Sequence, residues 1–165
     1  MIEIVRATAD DAERLTEIAY AAKRHWGYAE TWIESWRDTL TIKPEFLEAN
    51  IAFCASESGR IVGFYVLIEA SDKLSIEHLW VEPASIRHGI GRALFQHAVE
   101  QAQQAGFDSL KIESDPNAEG FYRKMGAVRV GTAIGEVEGE RREVPEMEYR
   151  GGGGNGGNGG NGVME

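Results

Sequence analysis

The sequence predicts a mixed α/β domain in which a mostly antiparallel central sheet is flanked by helices. Three observations carry that prediction. Helical spacing of apolar residues gives way to strand-like runs from Ile51 onward, and three such runs follow one another with only tight turns between them. An extended segment at 74–81 then passes through a glycine-containing loop into an amphipathic helix. Finally, a short strand and a closing pair of strands follow that helix, so the second half alternates where the middle does not.

Residues 2–6 alternate as a first strand, and Thr8 with Asp11 three residues later makes a helix-capping arrangement. In the helix that follows, Leu15, Ile18, Ala19, Ala22 and Trp26 recur at helical spacing and form the face packed on the sheet. Thr31 with Glu34 opens a short helix carrying Trp32, Ile33, Trp36 and Leu40, and Pro44 limits its continuation. Three tryptophans crowd with His25 and Tyr28 into residues 25–36, where they seal a small core or wall a substrate cleft; Trp26, Tyr28 and Trp32 are the substrate candidates.

Residues 51–55 form the next strand, closed by a turn at 57–60, and the nearly continuous apolar run 61–68 suits a central strand covered on both faces. After a turn at 71–73, strand 74–81 places Ser75, Glu77, Leu79 and Val81 on one side and Ile76, His78 and Trp80 on the other, unless a bulge breaks the parity. The helix after the loop presents Leu94, Phe95, Ala98, Val99 and Ala102 to the sheet and stops at Gly106. Residues 109–113 make a short strand, parallel to 74–81 because a helix connects them. Residues 114–117 cap another short helix, in which Phe121 and Met125 face the core and Gly126 ends the run. Strands at 127–133 and 144–149 close the domain, separated by the acidic segment 135–143. The domain spans 1–150, and the Gly/Asn-rich run 151–165 reads as a flexible tail with little apolar surface to bury.

A chain of 165 residues suits one well-buried domain. Its net charge of −10 argues against a nucleic-acid or anionic-membrane partner and leans toward small or cationic substrates. The single Cys54 lies in an apolar run and reads as a buried structural thiol, and no signal or membrane-spanning segment is present, which makes a cytoplasmic protein the expectation. Four scattered histidines offer no metal signature.

The loop itself is an anion cradle in the making. Gly89 and Gly91 flank Ile90, so backbone N–H groups turn inward unobstructed, and the next helix adds unpaired first-turn donors and the positive end of its dipole. Arg87, His88 and Arg92 add cationic character. No Lys-Ser/Thr pair follows the last glycine, so the loop is not a nucleoside-triphosphate P-loop. A dinucleotide fingerprint would need glycine where Leu94 stands.

The loop Ile86-Arg87-His88-Gly89-Ile90-Gly91, the strands on either side of it and the stretch from Asp115 to Ala127 resemble the GNAT superfamily of acetyl-CoA-dependent N-acetyltransferases. The family's basic first loop position is Ile86 here, so Arg87 or Arg92 would supply that charge. The resemblance implies that strands 74–81 and 109–113 splay apart and admit the pantetheine arm of acetyl-CoA, bound as co-substrate with no metal. Backbone groups of Leu79 and Val81 would then hold the arm and thioester, residues Arg87, His88, Gly89, Ile90, Gly91 and Arg92 the pyrophosphate, and Asn117 would lie near the arm. Tyr122 matches the tyrosine that protonates the departing thiolate; read alone, it is a half-buried aromatic. A primary amine must lose a proton before it attacks a thioester. Glu77 is the candidate base, directly or through water, with an ion-paired surface role as the alternative.

The expected activity is therefore acetyl transfer to a primary amine of a small molecule, amino-acid derivative or peptide terminus by direct attack. A non-catalytic acyl-CoA-binding or sensory module is the alternative, and pairing of late strands between subunits would make a homodimer.

Overall fold

In a computed structural model, described over residues 1–151, the two periodicities sort into one sheet and two helical layers. The strands are β1 (Ile2–Arg6), β2 (Ile51–Glu57), β3 (Arg60–Ala70), β4 (Lys73–Val81), β5 (Ser109–Glu113), β6 (Val128–Val137) and β7 (Glu140–Arg150). They pair in the order β1-β2-β3-β4-β5-β7-β6, antiparallel throughout except between β4 and β5. The helices are α1 (Ala12–His25), α2 (Glu30–Ser35), α3 (Arg37–Leu40), α4 (Pro44–Ala49), α5 (Ile90–Gln104) and α6 (Glu119–Lys124). Beyond Gly151, the Gly/Asn run lies outside the described residues.

Strand β3 is the spine of the core. Its Phe64 and Val66 pack with Leu15, Ile18 and Ala19 of α1, while Tyr65 and Leu67 pack with Leu94, Phe95 and Ala98 of α5. These four β3 side chains are at most 1% exposed, as expected for a strand covered on both faces. Gly63 permits a close approach of α5, since a Cβ there would sit 3.0 Å from the Trp80 carbonyl oxygen and 3.1 Å from Leu94.

All three hairpins close through two residues of positive φ: Ser58 and Gly59, Ser71 and Asp72, and Glu138 and Gly139. That geometry matches the twist of the strands it joins. It also corrects the reading of 135–143 as a connector, because β6 and β7 run to Val137 and from Glu140. The helix expected from Thr31 is two pieces. It starts at Glu30 after an extended Ala29, and Trp36 breaks it before α3. That run ends at Leu40, where Thr41 turns extended, and Pro44 instead opens α4, a helix unforeseen in the sequence, at a position where its missing N–H has no intrahelical role. The Thr8–Asp11 arrangement holds, with the Thr8 N–H donating to Asp11 Oδ2 at 2.8 Å. Among the described residues, no helix is long and apolar enough to cross a membrane.

Candidate active site

The parallel strands part almost as soon as they meet. Pairing between β4 and β5 is confined to Ser75 with Lys111 and Ile76 with Ile112. The next residue on each strand is a glutamate, Glu77 on β4 and Glu113 on β5, so two carboxylates mark the fork. Glu77 is also the extra residue of a β-bulge: Leu67 pairs with Ile76 and Val66 with His78, which leaves Glu77 unopposed.

The bulge corrects the expected parity. Ile76 joins Leu79 and Val81 on the α5 side, and His78 and Trp80 turn toward the α1 side, where His78 meets Phe46 and Phe64. Beyond the bulge the backbone alternation is regular. The Glu82 N–H donates to Val62 on β3 at 2.8 Å, so the N–H groups of Val81 and Leu79 point the opposite way, into the split.

At the mouth of the split, Gly89 caps α5 with φ +78, and nothing lies within 4 Å of where its Cβ would be. Arg87 shares the left-handed region at φ +79 and is exposed with His88, while Arg92 is half-buried on the first turn of α5. Ile90 is the cradle's inward anchor, 1% exposed. Gly91 serves packing: a Cβ there would lie 3.2 Å from the Phe121 ring. Glu82 ties the loop down. Its carboxylate accepts from Arg14 at 2.6 Å and from Arg60 at 2.8 Å, and the Arg60 hydrogen bond, with help from Arg14, holds it below its usual range despite burial.

Tyr122 reaches the region from α6. It is 6% exposed, packed on Phe95 and Phe121, and burial first, then the charge of Asp115, pushes its hydroxyl well above the ordinary phenol range. Glu77 is solvent-exposed at the side-chain level, yet the surrounding protein and then the Glu113 charge raise its carboxyl. Cys54 is fully buried and burial pushes its thiol up to about 12, which leaves no thiolate at neutral pH.

Beside the split lies a polar network of which the sequence reading named Tyr28 and Asn117 as site residues but not Lys23, Asp115 or Arg142. Asp115 accepts from Lys23 at 2.6 Å, from Tyr28 at 3.0 Å and from the Asn117 backbone at 2.8 Å. The Tyr28 oxygen in turn accepts from Arg142 at 2.7 Å and from Asn117 Nδ2 at 3.1 Å. Lys23 Nζ lies 4.2 Å from the Trp36 ring centroid, 5.1 Å from Tyr28 and 5.8 Å from Trp80. Burial lowers the Lys23 ammonium and Asp115 only partly restores it; burial raises Asp115, but Lys23, Asn117 and Tyr28 more than offset that.

Of the substrate candidates, Tyr28 and Trp32 stack at 5.8 Å beside this network. Trp26 does not join them: it caps α1, is 40% exposed and contacts His25, instead of continuing the face that packs on the sheet. Lys23 takes the buried place on α1 that Trp26 was expected to share. A charged residue one position after Ala22 and four after Ala19, on an otherwise apolar stripe, was the available signal. Among the described residues, no three His, Cys, Asp or Glu side chains are grouped to hold a metal.

A parallel pair that parts after two bridges, with a glycine-capped helix N-terminus at its mouth, leaves room for an extended, anionic ligand. Solved structures share the fold. A GCN5-related N-acetyltransferase from Rhodopseudomonas palustris superposes with a TM-score of 0.76 at 21% identity, covering 90% of this chain and 94% of that one. The PaiA N-acetyltransferase from Thermoplasma acidophilum, solved in complex with coenzyme A, gives 0.70 at 22% identity, covering 91% and 99%. The model of the acetyltransferase (GNAT) family matches residues 12–127, well over half of the chain, and the protein belongs to that family. Among curated proteins, ribosomal protein bS18-alanine N-acetyltransferase of Escherichia coli K12 is 26% identical over 82 residues. That match spans 48% of this chain and 55% of the relative's length.

Proposed function

We propose that this protein transfers the acetyl group of acetyl-CoA to a primary amine by direct attack. The observation that carries the reading is the split itself: beyond its last bridge to β5, β4 turns the N–H groups of Leu79 and Val81 into a gap that ends at the Gly89 cradle. An extended pantetheine arm would fill that gap as a strand does, and the pyrophosphate would meet the α5 N-terminus and Arg87, His88 and Arg92. The Leu79 N–H would polarise the thioester carbonyl.

The residues divide the proton traffic. An alkyl amine with pKa near 10.4 needs about 5 kcal/mol to reach its neutral form at pH 7, so a base is required. Glu77 stands at the fork with a raised carboxyl, better suited to that role than an ordinary glutamate. The departing thiolate resembles a cysteine thiolate, of pKa about 8.5, so complete transfer from a phenol of at least 10 is uphill by about 2 kcal/mol or more. Tyr122 therefore acts first as a hydrogen-bond donor to the developing thiolate and gives up its proton as the sulfur leaves. With Nδ2 engaged by Asp115 and Tyr28, Asn117 offers the arm its carbonyl oxygen as an acceptor.

Isothermal titration with acetyl-CoA, CoA and NAD in parallel tests the reading. Saturable binding of both CoA species and none of NAD is expected. Binding of NAD without CoA would overturn it, and CoA binding without turnover of any amine would indicate the non-catalytic module.

A further inference from the structure

Resting on that reading, we infer that the acceptor amine carries a carboxylate, and that Arg142 with Lys23 forms the subsite that receives it. The network beside the split holds two cations, Lys23 and Arg142, against one carboxylate, Asp115. Its side chains are largely withdrawn from solvent, at 10%, 15% and 8% exposure respectively, so the excess positive charge is poorly screened. This local sign is opposite to the net charge of −10, and it reverses the leaning toward cationic substrates.

Three further observations point the same way. The aromatic faces suited to an alkylammonium, those of Tyr28, Trp36 and Trp80, are already occupied by the Lys23 ammonium, and the Arg142 guanidinium lies 4.9 Å from the Trp36 centroid. A further cation there would meet the charges of both Lys23 and Arg142. Secondly, only Nη2 of Arg142 donates within the described residues, to Tyr28 at 2.7 Å and to Asp115 at 3.4 Å, which leaves Nε and Nη1 for an incoming carboxylate. Thirdly, the network adjoins the fork: Asp115 stands two residues after Glu113, and Lys23 Nζ lies 5.8 Å from the ring of Trp80 on β4. An amine anchored here through its carboxylate would carry its nitrogen toward the fork. Nearby Lys23 and Arg142 would also lower the pKa of that nitrogen, which favours the neutral nucleophile.

The test uses matched probes on the full chain loaded with CoA: glycine, β-alanine, γ-aminobutyrate, L-phenylalanine and L-glutamate, each against its carboxamide, together with an alanyl peptide amide. Binding is read by tryptophan fluorescence and calorimetry, and kcat/KM by thiol release from acetyl-CoA. At least one carboxylate is expected to bind and turn over about tenfold or more better than its carboxamide, in keeping with a charge-assisted hydrogen-bonded pair. Arg142→Gln should collapse that ratio toward one without altering acetyl-CoA affinity, and Arg142→Lys should restore part of it. Equal or better performance of the carboxamides, preference for the peptide amide, or no carboxylate preference in any pair would overturn the subsite. Carboxamide turnover without carboxylate preference would leave the acetyltransferase reading intact; failure of acetyl-CoA to bind would remove both.

Discussion

At the scale of single residues, the account assigns opposite proton tasks to two groups whose surroundings raise both. Tyr122 stays protonated through the neutral range, so Tyr122→Phe should lower kcat by about 100-fold while leaving acetyl-CoA affinity near wild type, measured by thiol release and calorimetry. An unchanged kcat would remove it from the reaction. Glu77 works as a base only when ionised, and its raised pKa places the acidic limb of the kcat/KM profile above the ordinary glutamate value. Glu77→Gln should lose that limb along with most of the rate, whereas a retained limb would assign it to another group.

His78 gives a residue-level prediction about stability. It is 4% exposed, its Nδ1 accepts from Trp80 at 3.0 Å, and burial lowers its pKa to about 4. Because the folded value lies below the unfolded 6.5, the unfolded chain binds the extra proton between those limits. Stability is therefore fully present above pH 6.5 and is lost as pH falls toward 4. His78 should contribute about 2 kcal/mol of loss between pH 7 and pH 5. In urea titrations His78→Gln, which can still accept from Trp80, should show a shallower pH slope than wild type; an equal slope would refute the assignment.

At the scale of elements, the site depends on how closely α5 sits on the sheet. Gly63→Ala should cost about 2 kcal/mol in urea unfolding, since its Cβ would press on the Trp80 carbonyl and the Leu94 side chain. Weakened acetyl-CoA binding should accompany that loss, because α5 carries the cradle. A neutral substitution would mean that α5 yields freely. Elements were largely legible from local pattern: the β3 apolar run, the glycine loop and the α5 stripe each declare themselves within a few neighbouring residues. The Glu77 bulge was not, because the extra residue is set by pairing with β3 and no local pattern marks it. The split at Ile76 was carried by family resemblance alone. The β6–β7 hairpin was misread because charged and glycine residues at its tip resemble a loop until the two positive φ values at Glu138 and Gly139 join the strands.

At the scale of the whole molecule, the sheet order brings together groups that no sequence window contains. Lys23 of α1, Asp115 after β5 and Arg142 of β7 meet because β5 lies between β4 and β7. Of its three charged members, only Lys23, a charge on an apolar helix stripe, left a local trace. The two cores share the sheet, so filling the split between β4 and β5 should stiffen both. Acetyl-CoA at about 100 times its dissociation constant should add about 2.7 kcal/mol and raise Tm by roughly 5–10 °C. No shift, in either calorimetry or fluorescence melting, would contradict a preformed site.

The most direct test of the central claim is amine-dependent release of free thiol from acetyl-CoA by the purified chain, with mass spectrometry of the acceptor. The account predicts thiol release that requires both protein and a primary amine, with one acetyl group appearing on the amine for each thiol freed. Thiol release independent of any amine, or none with a panel spanning amino acids, alkylamines and peptide termini, would contradict it.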